Sequence, residues 1–177
     1  FEAAASEQYP IIKRNDKAFR LVTKLIDEDG EQLLSVLFND ITTFEELKEK
    51  YNDEKLCIAK IQVDNYDELI ADMTAQRQNL TNAIDRIIRK WAEKANASIN
   101  EIDDNIYIVT FEQYFLDKLI NLKFSILDEV RDLDTSADFP ASLSIGVGAG
   151  GKNPAETEEY ADAALDLALG RGGDQAV

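Results

Sequence analysis

The sequence predicts an α+β fold with α/β character: a central sheet of four to five strands, covered by helices and preceded by a β-hairpin and a connecting helix. Runs rich in Val, Ile, Leu and Phe alternate with longer segments whose apolar residues recur every three or four positions. One pair of strands is joined by a short acidic turn and must therefore be antiparallel, which a purely parallel sheet would not contain.

Composition excludes several classes of function. The chain has 177 residues, of which 45% are apolar, which is enough for one core, or for one core plus a small appendage. Its net charge of −16 repels phosphate backbones, so we expect no nucleic-acid partner. The absence of His and the single Cys57 exclude a zinc site, a His-ligated haem and a His-dependent nucleophile. Any metal here must be a hard, oxygen-bound ion such as magnesium.

The first 54 residues predict a hairpin followed by a short helix. Two β-prone segments, 19–26 and 33–42, flank a turn at Asp29-Gly30. Thr43 and Glu46 have the spacing of a capping box, which predicts that the connecting helix begins there. Residues 1–10 show no clear period.

From residue 55 the predicted order is strand, helix, hairpin, helix, strand, helix and a further strand. The segments are, in that order, 56–64, 66–95, Ile99–Phe111, 113–133, 141–150, a helix that starts at Asn153-Pro154 and ends at Gly170, and 171–177. The apolar positions of the first long helix are Leu80, Ile84, Ile87, Ile88 and Trp91, and those of the second are Leu116, Leu119, Ile120, Ile126, Leu127 and Val130. The Asn-Pro pair is a typical helix start.

Acidic residues beside strand ends are the candidates for chemistry. Asp64 ends the first strand of the sheet, and Asp103 and Asp104 occupy the hairpin turn. If these two strands are neighbours, the carboxylates converge at one edge and suit magnesium with a nucleotide phosphate. The alternative, which the spacing alone favours, is that these residues only form turns, because Asp side chains bond nearby backbone amides.

Three other features have a structural and a functional interpretation. The glycines of Ser144–Gly151 fit neither a P-loop nor a dinucleotide-binding turn, so a tight bend or a close backbone approach is favoured. Arg171–Asp174 offers one cation for a phosphate, but a helix end and turn are favoured. Cys57 lies in an apolar strand, where a buried, unreactive thiol is favoured.

From about Leu56 onward the chain resembles a GGDEF domain, the fold of diguanylate cyclases. The segments that carry the resemblance are "IAKIQVDNYDEL", "INEIDDNIYIVTF", "ASLSIGVG" and "YADAALDLALGRGG", in the family's order. The resemblance implies a nucleotidyl-cyclase-like sheet. It also aligns the five signature positions with Asp103, Asp104, Asn105, Ile106 and Tyr107.

Those alignments imply that cyclase chemistry has been lost. Both signature glycines are acids, the metal-binding glutamate is Ile106, and the metal-binding aspartate of the first strand is Gln62. The arginine before the signature is Glu101, and the triphosphate-binding lysine of the last helix is Leu169. Asp64 matches the second acid of the first-strand motif. The remaining candidates for nucleotide binding are Asp64, Asp103, Asp104 and Asn105, and those for metal binding are Asp64 and Asp104.

The departures from the GGDEF pattern resemble the GdpP (YybT) family, membrane-anchored bacterial phosphodiesterases of cyclic di-AMP. The most specific segments are "VDNYDEL" and "LALGRGGDQ". The resemblance divides the chain into the end of a PAS domain (1–42), a connector helix (43–54) and a degenerate GGDEF domain (55–177). It implies a DHH/DHHA1 catalytic module and membrane segments elsewhere in the parent protein, so we expect the parent to be longer on both sides.

The resemblance implies a regulatory region that is not itself catalytic. Its expected partners are the parent's own PAS and DHH/DHHA1 domains and a second copy in a homodimer; the region lies in the cytoplasm without touching the membrane. It implies no haem in this part of the protein. Two alternatives remain: a weak magnesium-dependent ATPase that uses Asp64, Asp103 and Asp104, and a purely structural spacer.

Overall fold

The computed structural model describes residues 9–28, 30–70, 74–133 and 140–177. The strands are β1 (Ile11–Arg14), β2 (Lys17–Glu28), β3 (Glu31–Asp40), β4 (Leu56–Val63), β5 (Ser98–Asp103), β6 (Ile106–Glu112), β7 (Leu143–Ala149) and β8 (Gln175–Ala176). The helices are α1 (Thr42–Asp53), α2 (Tyr66–Ile70), α3 (Thr74–Lys94), α4 (Gln113–Asn121), α5 (Ile126–Arg131) and α6 (Pro154–Gly170). Contacts divide the chain into two compact units, 1–51 and 52–177.

The first unit contains an antiparallel sheet in the order β1-β2-β3. The predicted hairpin is confirmed by the β2–β3 pairing, which runs from Phe19↔Asp40 to Glu28↔Glu31. Of the predicted turn, Gly30 has a φ of +83° and Asp29 lies outside the described residues. Strand β1 was not predicted, because it precedes the first predicted strand segment, 19–26.

Helix α1 begins one residue before the position that the capping box predicts. The Asp40 carboxylate accepts the Thr42 amide at 3.0 Å and the Thr42 hydroxyl at 2.6 Å. The same hydroxyl oxygen accepts the Ala18 amide at 3.0 Å. Side-chain bonds at the helix start therefore fix where α1 leaves the sheet.

The second unit is built on a five-stranded sheet in the order β5-β6-β4-β7-β8. Strand β4 is antiparallel to both β6 and β7, whereas β7 and β8 are parallel. The predicted α+β fold and its strand count are thus confirmed. The core of the unit contains β4 and β7 side chains such as Ile61 and Ile145, both completely buried.

The first predicted long helix is present as α2 and α3. Residues 71–73, between these helices, lie outside the described residues. The predicted apolar positions of α3 do face the core: Leu80, Ile84, Ile88 and Trp91 are buried, and Ile87 is partly buried. The period of three and four therefore identified the buried face correctly.

The second predicted long helix is wrong, because the chain breaks into α4 and α5. Lys123 and Phe124 have φ values of +50° and +49°, and the Phe124 amide bonds the Leu119 carbonyl at 3.0 Å in a helix-terminating pattern. The break buries Ile126 completely and leaves Ile120 56% exposed, although a single helix placed both among its apolar positions.

Helix α6 packs directly on β7 through glycine. A Cβ on Gly146 would lie 2.2 Å from the Leu165 nitrogen, so the predicted close backbone approach is confirmed. The predicted start is also confirmed: the Asn153 side chain accepts the Glu156 amide at 3.0 Å, with Pro154 first in the helix. Across the described residues, no helix combines the length and apolar character that crossing a membrane requires.

Candidate functional site

The end of β4 and the β5–β6 turn are adjacent, as the hypothesis of converging acids requires. The Val63 amide donates to the Asn105 carbonyl at 2.9 Å, and β4 pairs with β6 along its length. Asp64 follows directly in the chain. The segments that carry the candidate residues Asp64, Asp103, Asp104 and Asn105 therefore lie at one edge of the sheet.

The Asp64 carboxylate is held by β7 and by the segment after α6. Its Oδ1 accepts the Ser144 hydroxyl at 2.7 Å, and its Oδ2 accepts the Ser142 hydroxyl at 2.8 Å and the Asp174 amide at 3.0 Å. The Asp64 amide donates to the Ser142 carbonyl at 3.0 Å. Both oxygens of this half-buried carboxylate are thus engaged in hydrogen bonds within the protein.

Glycine allows the segment after α6 to approach Asp64. A Cβ on Gly173, whose φ is +77°, would lie 2.9 Å from Asp64 Oδ2. The favoured interpretation of this Gly-rich stretch, a helix end and turn, is confirmed, since Arg171 caps α6 and the Gly173 amide bonds the Ala168 carbonyl.

A charged contact holds the same segment from the other side. Arg131, the last residue of α5, donates from Nε to the two Asp174 carboxylate oxygens at 2.8 Å and 2.7 Å. Its Nη2 reaches the Asp174 carbonyl at 3.4 Å, and its Nη1 pairs with Asp128. The bonds to Asp174 and Asp128 raise the pKa of the Arg131 guanidinium, although partial burial opposes them.

The acids of the hairpin turn face solvent. Asp103 and Asp104 are exposed and Asn105 is partly buried; the Asp104 amide donates to the Asp103 carboxylate at 2.8 Å. This bond is typical of Asp in turns. Within the described parts of the chain, no group of three or more acids and thiols could hold a metal ion. These observations do not favour magnesium at Asp64 and Asp104, whose metal role stays a prediction.

Glu101, at the position where the resemblance predicts an arginine, forms an ion pair with Arg89. Glu101 lies 3.4 Å from Arg89 Nη2, and Arg89 Nε also donates to both oxygens of Asp85 at 2.9 Å. Tyr107 is buried on the adjacent strand, and burial together with Glu101 and Asp85 raises the pKa of its hydroxyl. The Tyr107 hydroxyl therefore stays neutral, whereas Arg89, Asp85 and Glu101 form ion pairs.

Cys57 is buried in β4, as predicted. Its thiol donates to the Gln113 side-chain oxygen at 3.3 Å. Burial, with a smaller contribution from the charge of Asp117, raises the pKa of the thiol to about 11. A thiol of this kind is protonated at neutral pH and unreactive.

Sequence reasoning missed four residues of this site: Ser142, Ser144, Arg131 and Asp174. One signal was available for the serines: they are two positions apart in the predicted strand 141–150, and residues two apart on a strand share a face. No local pattern links Arg131 to Asp174, which are 43 positions apart.

The fold of the second unit is that of solved GGDEF domains. The chain is similar to the FimX GGDEF domain from Pseudomonas aeruginosa, at 20% identity and a TM-score of 0.56, covering 76% of this chain and 91% of that one. It is also similar to the DgcB GGDEF domain from Caulobacter crescentus in complex with c-di-GMP, at 15% identity and a TM-score of 0.59, covering 77% and 85%. At these identities the likeness concerns the fold alone.

A family profile identifies the class of protein within the GGDEF fold. The profile described as "Cyclic-di-AMP phosphodiesterase GdpP-like, GGDEF domain" matches residues 61–177, and the chain belongs to this family. It is 35% identical over 161 residues to the cyclic-di-AMP phosphodiesterase GdpP of Geobacillus thermodenitrificans, covering 86% of this chain. It is 35% identical over 162 residues to GdpP of Bacillus subtilis, covering 91%. The chain spans about a quarter of the length of these relatives, 24% in each case.

Proposed function

We propose that this chain is the regulatory, signal-transmitting region of a cyclic-di-AMP phosphodiesterase that is anchored in a bacterial membrane by segments outside it. Its GGDEF-like domain does not make a cyclic dinucleotide. The observation that carries the proposal is the state of Asp64, whose carboxylate is committed to Ser142, Ser144 and the Asp174 amide. The family membership and the acids at the signature positions also support it.

The transmitting role is tested by the effect of this chain on the catalytic module to which it is joined. The rate of cyclic-di-AMP hydrolysis is compared between the catalytic module alone and the module preceded by this chain. We expect the two rates to differ, because a transmitting domain must bias the module to which it is joined. An identical rate with and without the chain would refute the proposal.

The proposal includes a homodimer formed through α1. Phe44, Leu47 and Tyr51 follow a three-four spacing on this helix and are 58%, 66% and 67% exposed. Such spacing is typical of a helix that pairs with a second helix. Leu47→Glu is expected to shift the chain from dimer to monomer in sedimentation experiments, whereas the nearby Glu46→Gln is not; a dimer unaffected by Leu47→Glu contradicts pairing through α1.

One observation favours the second candidate function, a weak magnesium-dependent ATPase. The bond between Val63 and Asn105 brings the β4 end beside the hairpin turn, so the candidate acids are carried by neighbouring segments. In that case Asp104→Ala abolishes turnover of ATP, because it removes one of the candidate magnesium ligands. The variant is expected to fold, because the Asp104 side chain is exposed. Turnover that is unchanged in Asp104→Ala excludes the candidate.

A further inference from the structure

Residues 171–177 follow α6, and two charged side chains, Asp64 and Arg131, bind this segment at Asp174. Asp64, directly after β4, accepts the Asp174 amide at 3.0 Å. Arg131, at the end of α5, donates from Nε to both carboxylate oxygens of Asp174, at 2.8 Å and 2.7 Å. Asp174 is therefore held through its amide by the residue that follows β4, and through its side chain and carbonyl by the end of α5.

The remaining polar attachments of this segment are few. The Gln175 side chain donates to the Ala168 carbonyl at 3.1 Å, and the Gly173 amide donates to the same carbonyl at 3.0 Å. Strand β8 has two residues and pairs in parallel with Ser144 and Ile145 of β7. Beyond it, the Val177 amide bonds the Ile145 carbonyl at 2.9 Å, and the Val147 amide bonds the Val177 carbonyl at 2.9 Å. So short a ladder contributes few bonds, which gives the charged contacts at Asp174 a large share of the attachment.

The local backbone also makes the segment dependent on those contacts. Gly172 and Gly173 have φ values of +107° and +77°, and Asp174 has +55°. Two glycines in succession carry no side chain to pack and lose much conformational entropy on ordering. Contacts with the rest of the domain must offset this loss of entropy. The contacts of Asp64 and Arg131 are both made with the next residue, Asp174.

We propose that Asp64, Asp174 and Arg131 form a latch that holds residues 171–177 in register on β7. Asp64, the acid predicted as a metal ligand, serves in this latch as a positioning residue. A shift of the β4 end or of α5 releases the segment, because each supplies one of the two holds. The biological consequence of the latch, passing a signal to whatever follows residue 177 in the parent protein, rests on the proposed function.

Hydrogen exchange of individual amides in the chain tests the latch. Arg131→Gln and Asp174→Asn are expected to speed exchange at Val177 by about tenfold, as for the loss of one charge-assisted hydrogen bond, and to leave the β4–β6 amides unchanged. Asp174→Asn suits the test because Asn tolerates a positive φ. The matched control is Asp85→Asn, which removes the charge of a carboxylate whose two oxygens both accept from Arg89 Nε at 2.9 Å elsewhere on the domain.

A double variant shows whether the two residues act together. If they form one latch, Arg131→Gln combined with Asp174→Asn speeds exchange at Val177 no more than either change alone. Unchanged exchange at Val177 in both single variants overturns the latch. An equal rise at Val177 and in the β4–β6 amides also overturns it, because the variants then destabilise the whole domain.

The same variants separate the latch from the proposed function. In the full-length protein, faster exchange at Val177 with an unchanged rate of cyclic-di-AMP hydrolysis keeps the latch and counts against transmission through this segment. Unchanged exchange at Val177 overturns the latch whatever the hydrolysis rate does.

Discussion

A Cβ atom on Gly148 would lie 1.9 Å from the carbonyl oxygen of Thr157. The backbone of α6 therefore rests directly on the backbone of β7, and no other residue fits at position 148 without moving one of the two elements. This contact fixes the height of α6 above the sheet. It also sets where the chain emerges at Gly170, before the segment that Asp64 and Arg131 hold.

We expect Gly148→Ala to lower the free energy of unfolding by about 3 kcal/mol, near the upper end of the usual cost of overpacking. Denaturant unfolding measures the change. The matched control is Gly170→Ala at the end of α6, where a Cβ would meet nothing within 4 Å. There the change is expected within about 0.5 kcal/mol. Equal effects at the two positions would contradict the close packing of α6 on β7.

The break between α4 and α5 predicts different costs for two isoleucines. Ile126 is completely buried and Ile120 is 56% exposed. Ile126→Ala is expected to destabilise the protein by about 2–5 kcal/mol through the lost burial and the cavity left behind. Ile120→Ala is expected to change stability by no more than about 0.5 kcal/mol. Similar losses for both variants in denaturant unfolding would instead support one continuous helix.

Ionisation of Cys57 makes stability depend on pH in the alkaline range. The folded-state pKa of the thiol is about 11, against an ordinary value of 9.0 for the unfolded chain. The stabilisation that this raised pKa provides is complete below pH 9.0, and it is lost as pH rises toward about 11, because only the unfolded chain ionises readily there.

The free energy of unfolding is measured with denaturant across this pH range for the wild-type protein and for Cys57→Ala. The wild-type protein is expected to lose stability more steeply than the variant, in which the thiol is absent. Other groups that titrate at high pH are common to both proteins and cancel in the difference. Parallel curves would show that the thiol ionises alike in the folded and unfolded chains.

Incubation with GTP and magnesium is expected to yield no cyclic dinucleotide. The exposed acids Asp103 and Asp104 place negative charge at the hairpin turn that the resemblance aligns with the GGDEF signature, and their repulsion opposes the binding of triphosphates there. Chromatography of the products measures the outcome, with an active GGDEF domain as the positive control. Cyclic di-GMP formed by this chain, and lost in Asp104→Ala, would contradict the proposed absence of cyclase activity.

The sequence predicted the parts of the fold that local chemistry determines. The three-four period identified the buried face of α3, and Asn153-Pro154 marked the start of α6. Apolar runs located the main strands, while β1 was missed because residues 11–14 lie beside a stretch without a clear period. The break after α4 was missed because two residues with positive φ, Lys123 and Phe124, carry no glycine signal.

The sequence by itself determined the fold class, the family resemblance and the acids at the hairpin turn. Only the tertiary structure decided what surrounds Asp64, because its partners Ser142, Ser144 and Asp174 lie 78, 80 and 110 positions away in the chain. Periodicity and capping act within a few residues, whereas these hydrogen bonds depend on how β4, β7 and β8 are ordered in the sheet. The same carboxylate could end a strand as a metal ligand or as a structural acceptor. It accepts three hydrogen bonds from distant residues, and its role as a metal ligand stays a prediction.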